Sequence, residues 1–252
     1  MNENEVIFSI ARHAAWAPGV STQEGWADWA QAPWPLTPGA EPRVAAMPPM
    51  LRRRAGLLGR MALEVAYACI GQAQGVPTVF CSRHGEVVRS VELLRELARG
   101  EPLSPTAFGL AVHNASAGLF AIARTDRANH VALAAGGATF EHAVIEACGQ
   151  LADGAPMVLI VACDTALPAP FEAFQDCDEQ PFAFAWAIAP VQADVQTDMP
   201  VLRLAWQASE AADTPMPRMP GGLDVLRFQL SGDRTLVRDA GGKRWTWSRD
   251  GQ

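Results

Sequence analysis

The chain has 252 residues, 49% of them apolar and 19% charged, with 27 acidic against 20 basic residues and a net charge of −7. That composition can bury one sizeable core, which excludes wholesale disorder, and the acidic balance with no long basic run excludes a nucleic-acid footprint. The five cysteines (Cys69, Cys81, Cys148, Cys163, Cys177) form no CxxC pair, so neither a zinc ribbon nor a disulfide scaffold is expected.

Thiols in that pattern read as buried groups in a reducing cytoplasm. The N-terminus Met1-Asn-Glu-Asn-Glu5 puts acids ahead of a short apolar stretch, which is not a secretory signal. No apolar run approaches the ~20 residues that a membrane helix needs. A soluble, cytoplasmic protein with no membrane insertion is expected.

In chain order, Val6–Ala11 reads as a first strand. Residues 16–49 hold four tryptophans and seven prolines, which forbids long regular structure there. A loop-rich excursion with a short helix over Thr22–Gln31 fits. Leu58, Met61, Val65 and Ala68 recur at spacings of three and four, predicting a helix over Leu51–Gly71. Gly75-Val-Pro77 breaks it, and Val76–Cys81 reads as a buried strand.

Val87, Val91, Leu94 and Ala98 then form the stripe of a second helix, with Gly100 as its stop. A small-residue helix is predicted from about Phe108 to Ala123. Val131–Ala135 reads as a short strand ended by Gly136-Gly137, Phe140–Leu151 as a helix, and Met157–Cys163 and Phe182–Ala189 as strands. Strands separated by helices of this length predict an α/β fold, a mainly parallel sheet with helices packed on it. Beyond residue 190, Val201–Trp206 and Val225–Leu230 read as edge strands and Asp239-Ala-Gly-Gly242 as a turn.

Several residues invite chemistry. Gly136-Gly137 lies between a buried strand and a helix, where a nucleophile or an anion-binding helix end can be placed; a tight turn needing two small residues is the plainer reading. No GxGxxG or GxxxxGK[ST] loop accompanies it, so nucleotide binding is rejected there. Asn114-Ala-Ser-Ala-Gly118 approaches the GxSxG nucleophile elbow but has asparagine for the first glycine. His142 and Glu146 share a helix face, yet two ligands do not make a metal site, and no metal is expected. Cys163-Asp164 ends a strand, where α/β proteins often bind ligands, although a structural thiol is the better reading.

Longer motifs carry a resemblance. Trp16-Ala-Pro-Gly19, Pro48-Pro-Met-Leu-Arg-Arg-Arg54, Ala111-Val-His-Asn-Ala-Ser-Ala-Gly118 and Ala135-Gly-Gly-Ala-Thr-Phe140 together resemble the short β-ketoacyl synthase N-terminal domain proteins of aryl polyene and related fatty-acid-like pathways. The likeness runs nearly end to end. It implies a thiolase-like α/β fold resembling the N-terminal half of a ketosynthase, with a mainly parallel or mixed sheet and helices on both faces. It also implies a synthase-type domain over residues 1–190 and a C-terminal extension with short strands over 191–252, packed on the same domain.

The departures from an active synthase bear on mechanism. The position of the synthase nucleophile falls at Gly137, and no cysteine lies between Cys81 and Cys148. Glycine cannot form a thioester, so covalent catalysis of that type is not possible there. All five histidines precede residue 143, so the downstream histidine pair of a synthase is missing too.

The resemblance therefore implies no catalytic residue, no cofactor and the role of a chain-length factor: a non-catalytic partner that forms a heterodimer with an active ketosynthase and meets an acyl carrier protein. The dimer interface would run through Val131, Ala132, Leu133, Ala134 and Ala135 with His113 and Asn114. Thr106, Ala107 and Phe108 would gate the acyl tunnel, and Arg52–Arg54 would supply local positive charge for the acidic carrier protein. Two alternatives stand beside this role: an independent thiolase-fold acyltransferase with its nucleophile relocated to Cys163 or Ser116, and an assembly protein that only binds carrier protein.

Overall fold

The computed structural model describes residues 4–191, 200–209 and 218–249. Of the polar tail beyond residue 190, residues 192–199, 210–217 and 250–252 lie outside the described set, as do the first three of the acidic N-terminus.

Eight strands form one sheet. They are β1 (Glu5–Trp16), β2 (Thr78–Cys81), β3 (His130–Leu133), β4 (Val158–Asp164), β5 (Phe182–Ala189), β6 (Val201–Ala208), β7 (Thr235–Ala240) and β8 (Lys243–Arg249), in the order β3-β2-β4-β5-β1-β6-β8-β7. The sheet is mixed. Parallel pairing holds β3 to β2 and β2 to β4, where the crossovers are helical. From β4 outward every neighbour is antiparallel. β1 is longer than the predicted Val6–Ala11 because β5 and β6 flank it, with a bulge between Ile10 and Arg12.

Side chains alternate across the sheet, as a pleat requires. Val79, Ile160, Phe184, Trp186 and Trp247 point to one face, where α1 (Gln23–Gln31), α7 (Thr139–Ala152) and α8 (Gly221–Ser231) cover them. Phe80, Leu159, Val161, Ala183 and Ala185 point to the other, under α3 (Leu57–Ile70) and α6 (Ala115–Arg124). β4 and nearly all of β5 are buried on both faces, which is why they read as unbroken apolar runs.

Five expectations need correction. The helix expected over Leu51–Gly71 is two: a single turn, α2 (Pro49–Arg52), and then α3. Gly56 stands between them in extended backbone, which no continuous helix can pass. The Phe108–Ala123 helix is likewise split into α5 (Pro105–Gly109) and α6. Here His113 turns back to hydrogen-bond the Ser82 carbonyl oxygen at 2.9 Å, which pulls the linking residues out of helical path.

Val225–Leu230 is not an edge strand but the body of α8. Its valine, phenylalanine and leucines bury against α1 and α7, and Pro220 and left-handed Gly232 bound the helix; tertiary contact overrides the strand-like composition. β6, read as an edge, is interior between β1 and β8. In α4 (Val87–Ala98), Val91 and Leu93 are buried while Leu94 and Leu97 are 55% and 59% exposed. The helix packs chiefly on the short α5, so much of its apolar surface stays outside the core.

Candidate functional site around Gly137

β3 ends at Leu133 and the chain passes through a tight turn at Gly136–Ala138 into α7. Gly136 adopts φ +56°, which favours glycine. The Thr139 hydroxyl closes the turn, accepting from the Ala135 N–H at 2.9 Å and donating to the Gly136 carbonyl at 2.7 Å. Gly137 sits at its centre. A methyl group added there would lie 3.7 Å from Ala240 Cβ and 4.0 Å from Asp176 Oδ2.

What stands behind Gly137 is a cation. Arg238, on β7, donates to the Gly137 carbonyl oxygen at 3.1 Å, forms an ion pair with Glu141 on α7 and another with Asp224 on α8 at 3.4 Å. Glu141 is 0% exposed and also accepts from Trp247 Nε1 at 3.4 Å. Burial alone would lower the Arg238 pKa, but Glu141 and Asp224 outweigh it and hold the guanidinium charged. At Gly221 a Cβ would collide with the guanidinium and come within 2.7 Å of the Gly137 oxygen. The N-terminus of α8 can approach this closely only because it begins with glycine.

A second buried cation lies beside the first. Arg83 follows β2 and pairs with Asp164 at 3.3 Å, with Asp176 and with Glu179, and donates to Cys177 Sγ at 2.8 Å. Asp164 Oδ1 also accepts from the Ser82 hydroxyl and the Arg83 backbone N–H, each at 2.9 Å. Burial pushes the Asp164 carboxyl above its ordinary range in spite of Arg83. Asp176, Cys177 and Glu179 would bring three ligand atoms within 4.8 Å of one another, but the Arg83 guanidinium already occupies their common centre.

Between the two clusters only about 10 Å³ of space remains, lined by Cys81, Arg83, Gly136, Gly137, Cys163 and Gly221 among others. That holds at most a single water. Asp164 was marked as a strand end, but its pairing with Arg83, like that of Arg238 with Glu141, carried no signal in the sequence. The partners lie far apart in sequence, and single charged residues carry no periodic signal.

Of the other sequence-derived residues, Cys163 lines this gap, while Ser116 and Thr106–Phe108 lie elsewhere. Cys163 is buried, and burial raises its thiol pKa well above the ordinary value; Cys177 is pushed up to about 12. Ser116 is buried on α6, its Oγ 3.1 Å from where a Cβ on Gly59 would stand, so it packs on α3. Thr106 and Phe108 are exposed on α5, with Ala107 half-buried, and they line neither cluster.

β3 is the edge of the sheet. Val131, Ala132, Leu133 and Ala135 are half-buried and Ala134 is exposed. Ser82 ties this edge to His113: its N–H donates to the Leu133 carbonyl at 3.2 Å while its carbonyl meets the His113 ring. Asn114, next in the chain, is exposed.

The mixed sheet, the two helical layers and the turn at Gly137 define a thiolase-like ketosynthase fold. The profile of the family described as beta-ketoacyl synthase, N-terminal domain, matches residues 26–248, and the chain belongs to that family. It is similar to a chain in the structure of the ketosynthase ApeO in complex with its chain length factor ApeC from Xenorhabdus doucetiae, at 27% identity and a TM-score of 0.84, covering 97% of this chain and 100% of that one. It is also similar to a chain of the ishigamide ketosynthase/chain length factor (15% identity, TM-score 0.61, 92% and 74% covered). A third likeness is to AntDE:AntF, a type II acyl-carrier protein in complex with its ketosynthase (10% identity, TM-score 0.67, 99% of each covered). No curated protein matches. Among the described residues, no helix is long and apolar enough to cross a membrane.

Proposed function

We propose that the chain is a chain-length factor, the non-catalytic partner subunit of an active ketosynthase, working in aryl polyene or related fatty-acid-like biosynthesis in the cytoplasm. The observation that carries this reading is the closed turn at Gly137. The position that would hold an acyl thioester has no side chain, and Arg238, Asp176 and Ala240 surround it. Substrate has no room there, so the fold serves through its surface.

That surface fits a partner. Among the described residues, no strand pairs with the outer edge of β3, which another chain can extend by main-chain pairing. Val88, Leu94, Leu97, Leu103, Phe108 and Val112 are large, apolar and exposed within one short stretch of sequence, as obligate interfaces demand. Val131–Ala135, His113 and Asn114 are assigned to that interface, and Thr106, Ala107 and Phe108 to the end of the partner's acyl tunnel. Residues 1–190 and the extension 191–252 act as one unit, since β6, β7 and β8 extend the same sheet. Arg53 and Arg54 are exposed beside exposed Met50, a cationic spot for an acidic carrier protein, while Arg52 is engaged with the carbonyls of Arg43 and Val44.

A relocated nucleophile gains nothing from the geometry: Cys163 is buried with its thiol held protonated, and Ser116 is packed against α3. The test is co-expression with the ketosynthase encoded nearest to it. A stable heterodimer on size exclusion, with condensation activity that needs both chains, is the expected result. A chain that stays alone with every candidate synthase, or that condenses malonyl units by itself, would overturn the reading.

A further inference from the structure

A cleft of about 340 Å³ opens between the N-termini of α3 and α4, and one of its walls is a loop. Leu57 and Leu58 line it from α3, Val88 and Glu92 from α4, and Pro38 and Pro181 from loops. Pro38 belongs to the proline-rich stretch that follows α1. Among the described residues, 33–43 form no helix, no strand and no backbone-to-backbone hydrogen bond. Four prolines in that run remove donors that could make such bonds. A segment bonded this sparsely opens at low free energy, without the rest of the fold.

Side chains from elsewhere hold it. Near its start the Leu36 N–H donates to Gln180 Oε1 at 2.8 Å. At its far end the Val44 N–H donates to Glu64 Oε2 on α3 at 2.5 Å. Arg52 reaches the carbonyls of Arg43 and Val44 at 3.3 Å and 3.4 Å. Val44 and Met47 are buried in the apolar cluster that includes Leu58, Met61 and Val65 of α3. Between these anchors residues 37–41 are exposed, and their ion pair, Glu41 with Arg60, is partly in water and adds little.

The far anchor is strained. Val44 has φ +45°, in the left-handed region, and is 1% exposed. A β-branched residue is a rare outlier there, because its Cβ crowds the backbone. Such strain persists only where the surroundings enforce it, and it clusters at clamps and switches. Here the surroundings are Glu64, Arg52 and the apolar cluster, and the strain is relieved when Val44 lets go of them.

We infer that residues 37–46 form a strap that gates the cleft between α3 and α4. Val44 is its strained latch and Glu64 the catch. Release of Val44 carries the Pro38 wall away and opens the cleft from the loop side. The device needs no partner subunit and stands apart from the chain-length-factor reading.

The experiment is NMR-detected hydrogen exchange on the full chain. Met47, whose N–H donates to the Val44 carbonyl at 3.0 Å, reports the strap in every variant, and the β4 amides report global unfolding. Met47 should exchange through an opening that low urea barely accelerates, unlike β4. Glu64→Gln keeps the shape of the catch without its charge and should speed Met47 exchange about fivefold. Val44→Ala and Val44→Gly both lose the two valine methyl groups, but only glycine adopts φ +45° freely. Met47 should therefore exchange about fivefold more slowly in Val44→Gly than in Val44→Ala; extended or helical backbone gives the opposite order. The β4 rates and thermal midpoints establish that each variant is folded.

Nile red, a neutral apolar dye, reads the cleft itself. Glu64→Gln should bind more of it than the parent, and adding Val88→Trp, which fills the cleft mouth, should abolish that gain without slowing Met47 exchange. Three results would each overturn the strap. They are Met47 exchanging in step with β4, Val44→Ala protected as well as Val44→Gly, and a dye gain that is absent or untouched by Val88→Trp.

Discussion

Arg238 donates its guanidinium to the carbonyl oxygen of Gly137 at 3.1 Å, across the whole length of sequence that separates the α7 turn from the C-terminal hairpin. The resemblance to synthases sets a nucleophile at Gly137 and histidines further along the chain. In their place β7 delivers a structural cation, balanced by Glu141 and Asp224.

The first expectation concerns that cation. Arg238→Met removes the ion-pair partner of Glu141, a carboxylate with no exposed surface. Breaking one side of a buried pair costs about 3–5 kcal/mol, mostly by leaving the other charge stranded. Urea denaturation should show a loss of that order. Arg238→Met combined with Glu141→Leu should recover much of it, because the stranded charge is then gone. A double variant no more stable than Arg238→Met would refute the ion-pair account.

Gly137→Cys should fold, since its Cβ would meet Ala240 and Asp176 at ordinary contact distances. It should not create a synthase. The new thiol would face the Asp176 carboxylate, which raises a thiol pKa, and no downstream histidine exists to assist decarboxylation. Incubation with acyl thioesters followed by intact mass measurement should show no acyl adduct at position 137. Stoichiometric acylation with condensation would mean that the site is a latent enzyme.

Acid should weaken the Arg83 cluster through Glu179. Burial alone would raise the Glu179 pKa, but His84, whose Nε2 stands 3.8 Å from Oε1, and the Arg83 guanidinium outweigh it and hold the carboxyl below its ordinary 4.5. A carboxyl whose folded pKa is depressed stabilises the fold above its unfolded pKa and loses that contribution as pH falls through the folded one. Glu179→Gln should therefore be less stable than the parent at pH 7. The gap should begin to close below about pH 4.5 and be lost once pH has passed the folded pKa. Denaturation midpoints from pH 3 to 7 measure it; a gap that widens in acid would contradict the sign.

Much of this fold was legible in the sequence, because its central strands are buried on both faces. Met157–Cys163 and Phe182–Ala189 are continuous apolar runs, and both became inner strands. The short helix read over Thr22–Gln31 is α1, which Thr22 caps by accepting from the Gly25 N–H at 3.1 Å. Reading failed where context decides. Val225–Leu230 has strand composition but is sandwiched against two helices, and α4 turns Leu94 outward where an isolated amphipathic helix would turn it in. The resemblance sets the nucleophile position at Gly137, but the charge around that glycine could not be read, since Arg83 and Arg238 meet their acids only after the chain has folded.

The gate assignment is checked with Phe108, which is 64% exposed on α5 in the isolated chain. If it closes the partner's acyl tunnel, Phe108→Ala removes a packed ring and leaves volume for more chain. The reconstituted pair should then give longer or more varied products, with the stability of this chain changed by less than about 0.5 kcal/mol because the side chain is at the surface. Mass spectrometry of the products decides it, and an unchanged distribution removes Phe108 from the gate.

The edge of β3 permits the sharpest test of assembly. Thr78 N–H donates to the Asn129 carbonyl and Ser82 N–H to the Leu133 carbonyl, so the odd-numbered residues of this strand face β2. The N–H and C=O groups of a residue point to the same side of a strand, and those of His130, Ala132 and Ala134 therefore point away from the sheet. Proline is tolerated where a strand's N–H is not used by its own sheet. Ala132→Pro should leave the β2 ladder and the monomer fold intact while deleting one outward donor and placing a ring against any incoming strand. Heterodimer formation with the ketosynthase should fall sharply on size exclusion, whereas Val131→Ala, which trims a side chain and keeps every backbone donor, should reduce it much less. Full pairing by Ala132→Pro would show that the two subunits meet through side chains and not by extending the sheet.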